Sequence, residues 1–257
     1  LDPMATGVLC CLMGKATKLC NLFPSEEKEY IGNITFGITS DTQDIWGKLS
    51  ERIETHVTQK DLEDCLESFR GEISQLPPMF SAISIDGVKL YDLARQGKEI
   101  PREERKITIN KLELLEFSQE KQEAVIKINC SKGTYIRTLI YDIGRALGVG
   151  AVMSGLRRTM ANGFSLESCY TLEAVEKLFK FGDPQSELPD IYTAFEALPK
   201  IQTGEWQKTM LGNGVALNRD KFDNPPNGSC TIWCGEEFLG VYAFGDGEEN
   251  IKAILRG

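Results

Sequence analysis

The sequence predicts a mixed α/β (α+β) protein with a small second domain that is rich in β-strands. Three observations predict this fold class. Apolar residues alternate with polar ones over 28–38, as in a strand that has one buried face. Apolar residues recur at helical spacing over 58–71 and 135–147. Short β-like runs separated by turns follow residue 230.

The elements expected in the larger part of the chain are, in order, a strand at 28–38, helices at 58–71 and 89–96, strands at 106–117 and 123–131, a helix at 135–147, a strand at 151–161 and a helix at 171–181. The first strand places Tyr30 and Ile34 on one face, because side chains alternate along a strand. Thr58 begins the next helix as its N-cap with Asp61 completing a capping box, and Gly71 is expected to end it.

The helix over 135–147 has the clearest pattern in the sequence. Gly148 is expected to stop it, since glycine adopts the left-handed conformation found after helix ends. Its apolar stripe consists of Ile136, Leu139, Ile140, Ile143 and Leu147. The two strands before it are joined by a polar turn, which predicts a hairpin.

A change of composition marks the expected domain boundary. A stretch rich in Gly, Pro and Asp covers 181–189, and a further break lies near Leu198–Pro199. The β-like runs that follow lie at 230–234, 238–244 and 251–255. We therefore expect one domain over residues 1–196 and a small β-rich domain over residues 197–257.

The net charge of −9 by itself favours a small-molecule enzyme over a nucleic-acid binder. The distribution of the charge weakens this argument against a nucleic-acid binder, because 127–160 holds six basic residues and only one acidic residue, Asp142. Phosphate contacts are made by such local basic patches and do not depend on the net charge of the chain. Eight cysteines without a C-x-x-C pair, together with His56 as the single histidine, favour reduced thiols over a zinc site. No apolar run is long enough to cross a bilayer and residues 1–12 lack a signal-peptide pattern, so we expect a cytoplasmic protein. We also expect it to be a monomer.

The first motif is LDPMATGVL at residues 1–9. Pro3 stiffens the chain after Asp2, and Thr6–Gly7 turns it into an apolar segment. An aspartate in such a loop usually serves a turn or a cap, and it is catalytic in only about one case in ten. The nonapeptide as a whole resembles the catalytic loop of the TruB family of tRNA pseudouridine-55 synthases, in which the aspartate is the essential carboxylate.

Further motifs resemble the bacterial members of this family in the same order. They are GKATK at 14–18, KEY at 28–30, G-x-T-x-D-T-x-D-x-x-G at 37–47, FRGEISQLPPMFSAISIDGVKLYDLARQG at 69–97, CSKGTYIRTLIYDIG at 130–144 and GAVMSGLRRT at 150–159. Each is weak alone, and their shared order makes the signal strong. The resemblance implies a mixed, largely antiparallel sheet flanked by helices, followed by a PUA-like RNA-binding domain. Phe80, Ser84 and Trp46 depart from the usual family residues, which leaves details of substrate loops open.

The resemblance also implies roles for individual residues. Asp2 corresponds to the catalytic aspartate, Tyr30 to the tyrosine that stacks on the target base, and Arg137 to the arginine that pairs with the aspartate. Without the resemblance, Tyr30 is an ordinary core aromatic and Arg137 a solvated charge on its helix. Arg137 lies about 100° from Ile136 on the helical wheel, at the rim of the buried face, where an arginine can reach a cleft. The implied substrate-binding residues are Leu156, Asp44, Lys132 and Tyr135.

The implied reaction converts uridine 55 in the T-loop of tRNA to pseudouridine. This isomerisation has no net redox change and needs no group donor, so we expect no cofactor and no metal. A carboxylate has to act as nucleophile or base, and the residues leave open whether Asp2 attacks the sugar or the base. The target base has to be extruded from its stack, and Tyr30 as a stacking platform would offset part of that cost.

Two other functions stay open at this stage. One is a noncatalytic factor that binds or folds tRNA, and the other is a guide-RNA-dependent pseudouridine synthase. The catalytic set argues against the first, and the acidic character of residues 161–257 argues against the second. The chain does not begin with Met, so we expect an upstream segment to be missing. In the family that segment supplies a core strand and a Gly-His-x-Gly-Thr sequence, and His56 cannot replace its histidine.

Overall fold

A seven-stranded sheet organises the first part of the chain, for which a computed structural model describes residues 1–19, 23, 27–85, 87–189, 193, 195–245 and 250–256. The chain divides into one unit formed by Leu1–Leu9 and Glu26–Cys169 and another formed by Cys10–Ser25 and Tyr170–Gly257. This division differs from the domain boundary expected between residues 196 and 197, which stays a prediction.

The strands and helices of the first unit follow one another as β1 (Thr6–Gly7), β2 (Lys28–Phe36), α1 (Gln59–Glu67), β3 (Gly71–Gln75), β4 (Ser84–Ile85), β5 (Val88–Lys89), α2 (Leu90–Arg95), β6 (Arg105–Ser118), β7 (Glu123–Cys130), α3 (Ile136–Ala146), β8 (Ala151–Ala161) and β9 (Phe164–Ser165). The order in the main sheet is β1-β8-β2-β7-β6-β3, with β9 beside β8, while β4 and β5 form a separate hairpin. All of these pairs are antiparallel except β1 with β8. The predicted mixed, largely antiparallel sheet is therefore confirmed.

Helices α1 and α3 cover the apolar face of this sheet. The predicted stripe of α3 is buried except at Leu147, which is partly buried, and the helix packs against β8 and β2. Gly144 lets α3 approach β8 closely, because a Cβ at this position would lie 2.3 Å from the main-chain nitrogen of Ala151. The largest core side chains that are fully enclosed in this unit are Phe36, Ile34, Leu62, Leu66, Leu90, Ile109, Leu112, Ile126 and Ile128. The core thus fixes the position of α3, whose first turn carries Arg137.

The ends of α1 and α3 show how local sequence sets their lengths. Thr58 and Asp61 form the expected capping box, in which the Asp61 main-chain N–H donates to the Thr58 hydroxyl and the Asp61 carboxylate accepts from the Thr58 N–H. Helix α1 ends earlier than the expected stop at Gly71, because Ser68 caps it and its hydroxyl donates to the Cys65 carbonyl. Gly71 instead begins β3 with a φ of 84°. At the end of α3, Gly148 adopts a φ of 74°, as expected.

The second unit contains a small sheet of its own. Its elements are α4 (Leu172–Phe181), α5 (Pro184–Glu187), β10 (Lys200–Gln202), α6 (Glu205–Gly212), β11 (Gly228–Cys234), β12 (Glu237–Phe244) and β13 (Lys252–Arg256). The sheet order is β10-β11-β12-β13, with β10 parallel to β11 and the other pairs antiparallel. The expected β-like runs are confirmed as β11 to β13. Helix α6 was not predicted, since Leu211 is its one buried side chain and its apolar pattern is weak.

Three further findings concern the described residues. None of their helices combines the length and apolarity that a bilayer crossing requires. Among them, no three His, Cys, Asp or Glu side chains are grouped so that they could hold a metal ion. Their seven cysteines are free thiols, and Cys20 lies outside the described residues.

Candidate active site

The guanidinium of Arg137 forms a two-point ion pair with Asp2. Its Nε lies 2.8 Å from Oδ2 of Asp2, and its Nη2 donates to Oδ1 at 3.1 Å. The Arg137 side chain is only 7% exposed, whereas that of Asp2 is 33% exposed. The pair predicted for these residues is therefore present, and the carboxylate is the member that a ligand can reach. A planar guanidinium holds both oxygens of a carboxylate in one orientation, which a lysine cannot do.

The remaining donors of Arg137 bind main-chain carbonyls from two other segments. Its Nη1 donates to the carbonyl of Thr42 at 2.9 Å, and its Nη2 donates to the carbonyl of Phe80 at 2.9 Å. A second carboxylate oxygen, Oδ2 of Asp44, lies 3.6 Å from Nη1. One buried cation thus connects the Asp2 loop, the turn after β2 and the segment before β4.

Asp44 is held by its own turn. Its Oδ1 accepts from the Thr42 hydroxyl at 2.7 Å and from the Trp46 main-chain N–H at 3.0 Å. The turn itself is attached to β8, since the Ile45 N–H donates to the Met153 carbonyl at 3.0 Å and the Met153 N–H donates to the Gln43 carbonyl at 3.1 Å. These bonds leave the other oxygen of Asp44 facing Arg137, with the side chain only 13% exposed.

The Asp2 loop is anchored on β8 immediately after the aspartate. The Ala5 N–H donates to the Asp2 carbonyl at 3.0 Å, which closes a turn around Pro3 and Met4. Gly7 then adopts a φ of 104°, and a Cβ there would lie 2.0 Å from the carbonyl oxygen of Arg158. Only glycine fits this approach without a shift of the main chain. The loop therefore carries Asp2 on a short, firmly attached segment.

Tyr30 lies on β2 directly across from Arg158 on β8. It is only 7% exposed, and burial together with the neighbouring Cys130 thiol raises the pKa of its hydroxyl. The nearby guanidinium of Arg158 acts to lower the pKa of Tyr30, whereas the negative charge of Asp2 raises this pKa further. Tyr30 therefore belongs to the same electrostatic environment as Asp2.

The other three predicted residues surround this group less closely. Leu156 stands opposite Gly32 in the β2–β8 ladder and packs against the core. Tyr135 is the N-cap of α3, and Gln75 holds its main chain with two hydrogen bonds of 2.8 and 3.1 Å. Lys132 is exposed in the turn between β7 and α3. The structure thus brings together Asp2, Arg137 and Asp44 in direct contact and places Tyr30 nearby, while Lys132 and Tyr135 lie on the approach to α3.

Sequence reasoning missed two parts of the site. The carbonyls of Thr42 and Phe80 have no side-chain signature, so no residue type could have indicated them. Arg158 did have a signal, because Leu156 and Arg158 share one face of a strand and a charged residue on the inward face is unusual. It is 8% exposed, and its Nε donates to the Val8 carbonyl at 2.7 Å.

Comparison with known proteins gives a consistent result over the whole chain. The sequence profile of the TruB family pseudouridylate synthase N-terminal domain matches residues 1–136, and that of the tRNA pseudouridylate synthase B C-terminal domain matches residues 137–196. The tRNA pseudouridine synthase B of Azoarcus sp. strain BH72 is 39% identical over 259 residues, which cover 99% of this chain and 83% of that protein. The tRNA pseudouridine synthase B of Clostridium tetani is 42% identical over 224 residues, covering 86% and 74%.

The fold has solved counterparts as well. The structure of a Cbf5-Nop10-Gar1 complex contains a chain that matches with a TM-score of 0.71 at 23% identity, covering 98% of this chain and 73% of that chain. A similarity at this identity supports the fold alone. The family assignment rests on the sequence matches, which span the Asp2 loop, the turn of Asp44 and helix α3. This chain belongs to the TruB family of pseudouridylate synthases.

Proposed function

We propose that this protein is a tRNA pseudouridine synthase that isomerises uridine 55 in the T-loop of tRNA. The observation that carries the proposal is the Asp2 carboxylate, which is fixed at both oxygens by Arg137 and yet keeps a third of its side chain exposed. Such a carboxylate is oriented before a ligand arrives, and orientation of reacting groups is a major source of rate enhancement.

The reaction exchanges two bonds of one nucleotide. The bond between N1 of uracil and C1′ of ribose breaks, the base turns, and a bond forms between C5 and C1′. C5 loses its proton and N1 gains one, so the atoms balance without a cofactor. Asp2 is the nucleophile in this proposal, and it forms a temporary covalent bond that either the sugar carbon or the base can accept.

The surrounding residues assist Asp2 in different ways. Arg137 holds the carboxylate in one orientation, and Asp44 holds Arg137 from its other side at 3.6 Å. Tyr30 offers an aromatic ring for the extruded uracil, since stacking on an aromatic side chain offsets part of the cost of leaving the RNA stack. Leu156 lines the base pocket. Lys132 and Tyr135 contact the T-arm near the start of α3.

The same proposal includes the RNA partner and the cellular location of the protein. A cytoplasmic monomer binds the T-arm of tRNA, and the exposed basic residues of 127–160, which are Lys132, Arg145 and Arg157, contribute the phosphate contacts. The β-rich residues 197–257 act as a PUA-like domain that fits the shape of the RNA and adds few phosphate contacts, because this part of the chain is acidic.

The test uses tRNA transcripts whose uridines carry tritium at C5. Forming the C5–C1′ bond releases that hydrogen to water, so released tritium measures the reaction directly. We expect the wild-type protein to release one equivalent from transcripts without any guide RNA, and none when position 55 is cytidine.

Asp2→Asn should abolish the release while tRNA affinity stays within about threefold, because the amide keeps the size of the side chain and loses its nucleophilicity. Asp64→Asn is the matched control, since Asp64 is an exposed carboxylate on α1, and it should react as the wild type does. Turnover in Asp2→Asn well above background would refute the nucleophile. Tight tRNA binding without any tritium release by the wild type would favour a noncatalytic folding factor.

A further inference from the structure

Arg158 is a buried cation that the reaction as proposed above does not use. Arg158 is 8% exposed in the strand β8, and in the part of the chain that the structure describes no carboxylate forms an ion pair with it. A buried guanidinium without a counter-ion is costly, because its hydration is lost and no opposite charge compensates. An arginine in such a place is expected to have a specific role beyond packing.

The sheet places Arg158 between two parts of the site. Strand β8 lies between β1 and β2, and residue 158 is in register with Gly7 on one side and with Tyr30 on the other. A β-bulge between Glu29 and Tyr30 skips Thr159, so that Arg158 becomes the direct neighbour of Tyr30. Bulges commonly re-aim one side chain next to an active site.

Arg158 has the Val8 segment on one side and Tyr30 on the other. Main-chain and side-chain bonds together join it to Val8, whose N–H donates to the Arg158 carbonyl at 2.8 Å and whose carbonyl accepts from Nε at 2.7 Å. On the other side Arg158 is the cross-strand neighbour of Tyr30, and the positive charge of its guanidinium acts to lower the pKa of the Tyr30 hydroxyl. The Arg158 side chain is therefore bonded to the loop that carries Asp2, and it lies on the strand position next to Tyr30.

We propose that Arg158 is a positioning residue that sets the Asp2 loop and the Tyr30 ring at a fixed distance from each other. This inference rests on the proposed function, in which Asp2 attacks while Tyr30 carries the extruded uracil. A nucleophile on the loop before β1 and a base platform on β2 have to keep their spacing within a fraction of an ångström, and Arg158 lies on β8, the strand between β1 and β2.

Two substitutions separate the two contacts. In Arg158→Gln the side-chain amide nitrogen occupies the place of Nε, so the bond to Val8 is kept while the outer guanidinium nitrogens next to Tyr30 are lost. In Arg158→Lys the carbon Cε occupies that place, so the bond to Val8 is lost while a positive charge can still approach Tyr30. Both variants are combined with Tyr30→Phe, which removes the hydroxyl alone.

The readouts are the single-turnover rate of tritium release at saturating tRNA, the tRNA dissociation constant and the melting temperature. We expect each Arg158 variant to slow the single-turnover step roughly 10- to 100-fold, the range expected for a misplacement approaching 1 Å, with the dissociation constant changed less than about threefold. In the Tyr30→Phe background, Arg158→Gln should have little further effect, whereas Arg158→Lys should slow the reaction in both backgrounds.

Leu66→Ala is the control for a loss of stability alone. Leu66 is 1% exposed in α1, and its truncation should lower the melting temperature without slowing the reaction of folded molecules. The inference is overturned if both Arg158 variants react at the wild-type rate, if Arg158→Gln and Tyr30→Phe have additive effects, or if Leu66→Ala slows the reaction as much. A wild-type protein that forms no pseudouridine would instead refute the proposed function, so the two failures are distinguishable.

Discussion

Replacing Arg137 by lysine keeps the positive charge and removes the fork that orients Asp2. In the structure the guanidinium makes two bonds to Asp2 and one each to the carbonyls of Thr42 and Phe80. A lysine presents its donors from one nitrogen, so it cannot reach acceptors on three segments at once. At least two of these acceptors lose their partner, at about 1–3 kcal/mol each. We expect a destabilisation of about 2–6 kcal/mol, which corresponds to roughly 4–24 °C in melting temperature for a protein of this size.

The effect on the reaction should exceed the effect on stability. A carboxylate released from a bidentate pair can shift by about 1 Å, which costs on the order of a hundredfold in rate. We therefore expect Arg137→Lys to lose at least about a hundredfold in single-turnover tritium release, with unchanged tRNA affinity. Arg70→Lys is the matched control, because Arg70 also joins a carbonyl, that of Leu112, to a carboxylate, that of Glu67. A rate for Arg137→Lys within threefold of the wild type would show that the fork does not orient Asp2.

Three other substitutions test separate features. Asp44→Asn should slow the single-turnover rate roughly tenfold at unchanged tRNA affinity, because it removes the charge 3.6 Å from Arg137, and a wild-type rate would show that Asp44 has no influence on the pair. Gly7→Ala should destabilise the protein by about 1–3 kcal/mol and reduce activity, since alanine is strained at a φ of 104°, whereas Gly212→Ala, with no heavy atom within 4 Å of its new Cβ, should melt like the wild type. Burial raises the pKa of the Cys130 thiol from 9.0 to about 11, so the folded state keeps a proton that the unfolded chain loses above pH 9. Stability should therefore fall by about 2 kcal/mol as pH rises from 9 to 11, and Cys130→Ala should show a shallower fall in urea midpoints over this window; an identical slope in the variant would contradict the assignment.

The parts of the fold that were predicted correctly are those whose signals are local. Alternation over 28–38 predicted β2, and the structure ends it at Phe36 because Gly37 turns with a φ of 79°. The apolar stripe and Gly148 predicted α3, because the spacing of apolar residues within a helix is enough to show which of its faces is buried. Strand β1 could not be predicted in the same way. It is two residues long, and it exists because Gly7 lets the chain lie against Arg158.

In the candidate active site, too, features without a local sequence signal could not be predicted. The pair of Asp2 and Arg137 was expected from motifs far apart in sequence, and the helical wheel already placed the arginine at the edge of the buried face. The acceptors that complete the coordination of Arg137 are main-chain carbonyls, which every residue has and which no pattern distinguishes. The role of Arg158 depends on the register of β8 against β2, and a bulge that skips one residue changes that register in a way that alternation alone does not reveal.

The contacts of Arg137 and Arg158 also have a consequence for how the enzyme is made. They join residues separated by 135, 95, 57 and 150 positions in the sequence. During synthesis the Asp2 segment leaves the ribosome well before its partner strand β8 is made. Contacts of such long range form slowly, because distant parts of a chain have to meet before the bonds can hold them. A refolding chain should therefore regain its helices and the hairpin of β6 and β7 before it regains catalysis, and an incomplete nascent chain without residues 137–158 cannot modify RNA.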